Sequence, residues 1–127
     1  MPKVFDQLSV LERFRFVDAY KLRMFTLIYS RSALKSAQLT SASEQEEASF
    51  DLTILEVEQD IAALKAHLIA FEAGRGAISP PTTTQLATLK EQMDKVERIN
   101  NQQEAISGLL GLIAESAATY NQIIQTD

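Results

Sequence analysis

The chain has 127 residues, 46% of them hydrophobic and 23% charged, with four glycines, three prolines, no cysteine and a formal net charge of −5. A chain of this length buries roughly two-thirds of its unfolded surface, so one folded domain spanning residues 1–127 is expected to hold a core without staples. Disulfide scaffolds, thiol chemistry and zinc–cysteine sites are excluded.

The N-terminal run Met1-Pro-Lys-Val-Phe-Asp reaches charged residues without an apolar stretch, so no secretory leader is expected and the expected compartment is the cytoplasm. Ser9-Val-Leu-Glu12 has the form of a capping box, which predicts a helix beginning there and running to about Gln38. On a helical wheel this segment is apolar on two sides. Leu11, Phe14, Leu22, Phe25 and Tyr29 form one side, and Phe16, Tyr20, Leu27 and Leu34 form the other. A single neighbouring surface cannot bury both, so the helix is either central to a bundle or carries a partner-binding face. Phe16, Tyr20, Leu27 and Leu34, with Arg23 interleaved, are the expected partner or dimer face.

A short polar turn at 39–43 is followed by Ser43-Glu-Gln-Glu46, a second capping signal. Phe50, Ile54, Val57, Ile61, Leu64, Leu68 and Phe71 then recur at alternating steps of four and three, an unbroken heptad seam that predicts one buried stripe on a second helix. Gly74-Arg-Gly76 supplies a helix stop and Pro80-Pro81 delays resumption until Thr82 or Thr83. Thr82-Thr-Thr-Gln85 repeats the capping box, and Leu86, Leu89, Met93 and Val96 carry the third helix.

Beyond Val96 the apolar phase slips across 97–104 and resumes with Ile106, Leu110, Ile113, Ala117, Tyr120 and Ile124. Glu97 to Glu104 contains neither glycine nor proline, which favours one continuous helix to about Gln125 over a break near residue 100. Such a helix would measure about 60 Å against about 45 Å for the first two, and its overhang would require cover from a second chain. The fold class expected is all-α: an antiparallel bundle of three long helices, or four if the last is broken. Within 105–114 two glycines interrupt an apolar run, Leu110 and Ile113 included, which suggests close packing or self-association, with insertion into a membrane surface as the alternative. No stretch reaches 18 uncharged apolar residues, the length a membrane-spanning helix needs.

Charge divides sharply along the chain. Residues 1–39 hold seven basic and three acidic groups, giving +4, whereas residues 40–73 hold one basic and eight acidic, giving −7. The basic cluster Arg13, Arg15, Lys21, Arg23, Arg31 and Lys35 reads as a solvated helix face beside an acidic neighbour, so no nucleic-acid partner is expected. His67 is the sole histidine, Glu-x-x-His is absent, and the acidic run of the second helix lacks the loop pattern of an EF-hand, so no metal site is expected. Gly74-Arg-Gly76 has neither the spacing nor the lysine of a phosphate loop. With no nucleophile–base pair and no cofactor fingerprint, no catalytic residue and no cofactor are expected. The expected function is a non-enzymatic protein–protein interaction module that self-associates, with a dimer favoured. The alternative is a membrane-active helical protein.

Overall fold

The computed structural model describes residues 2–124 and is an all-α bundle of four helices. α1 spans Val10–Gln38, α2 Glu44–Glu72, α3 Thr83–Asn100 and α4 Leu109–Ile124, with single 3₁₀ turns at Phe5–Gln7 and Ile106–Gly108. Capping chemistry sets the starts. Ser9 accepts from the Glu12 amide while the Glu12 carboxylate accepts from the Ser9 amide, and Thr82 and Gln85 form the same reciprocal pair. Ser43 accepts from the Glu46 amide only.

Consecutive helices run antiparallel. Phe16 near the start of α1 packs edge-on against Phe71 at the end of α2, with ring centroids 5.0 Å apart, and Gln92 of α3 meets Thr119 of α4. α1 is the shared element, packed against α2, α3 and α4, while α2 rests principally on α1. The seam expected on α2 is the face it turns to α1: Ile54, Val57, Ile61, Leu64 and Phe71 are buried, and Phe50 and Leu68 are half-buried.

The continuous last helix is a correction. α3 stops at Asn100 in a Schellman turn, in which the Gln103 amide donates to the Arg98 carbonyl at 2.9 Å and the Gln102 amide to Ile99 at 3.0 Å. Gln102 carries the left-handed conformation this turn needs, with φ of 61°. The chain therefore reverses near residue 102, and the phase slip marks the passage between two helices. α2 ends in the same motif, with Gly74 at φ 84° and an Arg75 amide to Ala70 carbonyl bond of 2.9 Å. At about 44 Å, α1 and α2 are longer than α3 and α4, which measure about 27 and 24 Å. An overhang thus exists, but it belongs to the first hairpin rather than to a third long helix.

One end of the bundle is closed by a pair of backbone bonds between Lys3 and Ile78, at 2.7 and 2.8 Å, with the Ser79 amide donating to the Ile123 carbonyl. Phe5 packs edge-on against Phe71 there, under the Arg13 guanidinium. Ile78 is fully buried, so the connection from α2 to α3 is a packed lid.

Glutamine in the left-handed region is strained by about 1 kcal/mol, a cost glycine does not bear. Gln102→Gly is expected to stabilise the fold by up to about 1 kcal/mol and raise the thermal midpoint by a few degrees in calorimetry. A lowered midpoint would show that the turn draws on the glutamine side chain.

Candidate functional site

α1 is apolar on two sides, but the sides are exchanged relative to expectation. Phe16, Leu27 and Leu34 are 2, 0 and 3% exposed and form core, with Arg23 buried beside them and Tyr20 half-buried against them. They cannot form a face offered to a partner. The reason is that α1 is contacted from several directions, so its larger apolar arc is consumed inside the chain. Of the other two expected residues, Leu110 is exposed and Ile113 is half-buried against the core.

The free face of α1 carries Val10, Leu11, Phe14, Val17 and Phe25, with Phe14 65% and Phe25 44% exposed. Phe25 stacks on Tyr29 with ring centroids 6.1 Å apart. This face continues into a groove of about 610 Å³ between α1 and α3, floored by Leu22, Phe25, Leu86 and Met93 and rimmed by Asp18, Lys21 and Lys90, the last ion-paired with Asp94. Single exposed apolar residues are ordinary on a protein surface, whereas Val10, Leu11, Phe14 and Val17 sit together on one side of α1, with Phe25 further along the same side at the groove.

A second apolar face lies on α2, opposite its core seam. Leu52, Leu55, Ala62, Ala66 and Ile69 recur at heptad-compatible spacing, two residues out of phase with the buried set, and all are exposed. Asp51, Glu56, Glu58 and Glu72 flank it. Sequence reasoning missed this face because alanines dilute its middle; its spacing was the available signal.

The glycines of 105–114 are also corrected. A Cβ placed at Gly108 or Gly111 would meet nothing within 4 Å, so neither serves a close helix contact within the chain. In this segment Leu109 is fully buried and Leu110, at 61%, is the large apolar residue left exposed. No described helix is long and apolar enough to cross a membrane.

A polar cleft of about 340 Å³ opens between α1, α2 and α4. Arg23 reaches it from α1, donating from Nη1 to the Ile113 carbonyl at 3.4 Å, with Nη2 3.9 Å from the half-exposed Asp60 carboxylate. Burial lowers the Arg23 pKa, and the nearby Asp60 and Tyr120 oppose that shift. Burial also raises the Tyr120 phenol, with Tyr20 adding to the effect and Arg23 opposing it. His67 is pushed down by burial. The Tyr120 hydroxyl and His67 Nδ1 have no hydrogen-bond partner among the described residues. Among those residues, no three histidine or acidic side chains cluster as metal ligands would.

Comparison with protein-family models, with curated proteins and with solved structures finds no match to this chain.

Two measurements follow from these placements. Phe16→Ser with Leu27→Ser removes two core side chains, each costing about 3 kcal/mol, a sum near the whole stability of such a domain. Loss of the cooperative thermal transition is expected; a reduced oligomer mass at unchanged stability would return both residues to an interface. Gly111→Ala in α4 meets open space and is expected to raise stability by about 1 kcal/mol. A lowered thermal midpoint would mean that another chain covers that face.

Proposed function

We propose that this protein is a non-enzymatic protein–protein interaction module of the cytoplasm, and that its first partner is a second copy of itself. The observation that carries the proposal is that one chain presents two unpartnered apolar faces, an open groove and the outer side of a helix. The groove beside the outer face of α1 is lined by Lys21 and Lys90 together with Asp18, and the outer seam of α2 is bordered mainly by acidic residues, Asp51, Glu56 and Glu58, with Lys65 among them. An amphipathic helix laid in an apolar groove is a common recognition mode, read through anchors at three- and four-residue spacing. Leu52 and Leu55, and Ala62, Ala66 and Ile69, have that spacing on the solvent side of α2.

Reciprocal docking, α2 of each copy in the groove of the other, closes at a dimer and leaves no face for further growth. Charge steers the encounter and fixes orientation, while Phe14 and Phe25 supply the apolar anchors. The membrane-surface alternative has weaker support, because 105–114 spends Leu109 on the core and exposes Leu110 beside two glycines.

Light scattering at increasing concentration is expected to approach twice the 14.1 kDa of one chain. Lys21→Glu with Lys90→Glu is expected to return the mass to one chain while lowering the thermal midpoint only slightly, by the loss of the Lys90–Asp94 pair. Arg31→Glu with Lys95→Glu, which changes net charge equally outside the groove, is expected to leave the dimer intact. A single-chain mass at every concentration, or equal loss in both variants, overturns the reading. Co-sedimentation with anionic lipid vesicles overturns it in favour of the membrane alternative.

A further inference from the structure

The cleft between α1, α2 and α4 lies apart from the apolar faces, and its chemistry is of a different kind. Arg23 is 6% exposed, yet its one side-chain hydrogen bond among the described residues is the 3.4 Å contact with the Ile113 carbonyl. Its 3.9 Å approach to Asp60 is too long for a hydrogen bond, and the Asp60 side chain is half in solvent. A guanidinium offers five N–H donors in a planar fork suited to a carboxylate, and the Arg23 nitrogens that do not bond Ile113 are not among the buried unpartnered atoms, so they face the open cleft rather than a sealed core. Tyr120, 3% exposed, lines the same cleft with an unpartnered hydroxyl. His67, also lining it, adds an unpartnered ring nitrogen. Three elements therefore bring polar groups to one place, the Arg23 guanidinium and the Tyr120 hydroxyl as donors and the His67 ring beside them.

The remaining walls select among anions. Ala63 and Leu64 of α2 and Ala117 and Ile124 of α4 make the sides largely apolar, with the amide of Asn121 as a further polar group on the α4 side. A volume of about 340 Å³ lies at the small end of the range for small-molecule sites. With Asp60 beside Arg23 the cleft is close to neutral, so a monoanion adds one negative charge that the displaced Asp60 can relieve, whereas a dianion adds two. We infer that this cleft binds a small aliphatic monocarboxylate, its carboxylate on Arg23 and Tyr120 and its chain between the α2 and α4 walls.

Asp60 is the internal competitor for Arg23, so binding displaces it toward solvent. This gives the site a signature that a structural arginine lacks: removing a charge from the rim should strengthen binding.

His67 is the sole histidine, so its imidazole Hε1 proton gives a nuclear magnetic resonance signal that no other histidine overlaps and that reports on this cleft. Titration with butyrate at constant pH and ionic strength is expected to move that signal saturably, whereas 1-butanol and butylammonium leave it in place and phosphate moves it less. Asp60→Asn is expected to tighten butyrate several-fold. Tyr120→Phe removes one charge-assisted hydrogen bond and is expected to weaken it roughly tenfold. Because that hydroxyl has no partner among the described residues, the thermal midpoint should not fall. The inference is overturned by the absence of a saturable shift with butyrate, by an equal shift with butylammonium or phosphate, or by an Asp60→Asn variant that binds no tighter. Asp60 is exposed at the rim, so its variant keeps the test decisive even if Tyr120→Phe proves unstable.

Discussion

Every packing relation in this molecule depends on α1 being shared by three neighbours. A helix can be approached from several sides only where its side chains are short, and α1 supplies Ala19, Thr26, Ser30 and Ala33 along its buried arc. The two hydroxyls return their hydrogen bonds to their own helix, Thr26 to the Leu22 carbonyl at 2.8 Å and Ser30 to the Thr26 carbonyl at 2.6 Å. They are thereby satisfied without asking anything of the helices outside. Phe16, Leu27 and Leu34 fill the volume between these close approaches. The cost is that the opposite side of α1 remains apolar and uncovered.

Polar groups in the interior fall into two kinds. Thr26 and Ser30 are closed within α1, so they contribute helix contacts with no unmet demand. Arg23, Tyr120, Gln92 and Ser116 are open: Gln92 Oε1 and Ser116 Oγ, like the Tyr120 hydroxyl, are buried without a partner among the described residues. Apolar replacements of similar shape would serve packing as well or better at such positions. The open groups gather around α4, from α1, α3 and α4 itself, whereas the buried face of α2 toward α1 is made of Ile54, Val57, Ile61, Leu64 and Phe71.

The parts of the fold legible in the sequence are those decided locally. The capping pairs at Ser9 and Thr82 act over three residues, and the seam of α2 repeats for a single neighbour, so their side chains carry the whole signal. The sidedness of α1 was not legible, because a wheel shows two apolar arcs without showing how many helices each will meet. Arg23 looked like a surface anchor for the same reason. The two Schellman turns make the contrast sharpest: the one with Gly74 announces itself, whereas the one with Gln102 uses a residue with no preference for left-handed geometry and is imposed by tertiary packing. The candidate binding face was half legible, since its aromatic content was visible and its orientation was not.

The bonds between Lys3 and Ile78 join positions far apart in sequence, a contact whose closure entropy would be considerable in an unstructured chain. Because α1 and α2 are antiparallel and joined by a short turn, zipping that hairpin already carries the beginning of α1 to the end of α2. The loop that remains to be closed is only the few residues on either side. The bridge is thus a clasp at the open mouth of a hairpin, and through Ser79 it holds the last turn of α4 as well. Long-range order at this end of the molecule is obtained through a succession of short-range steps.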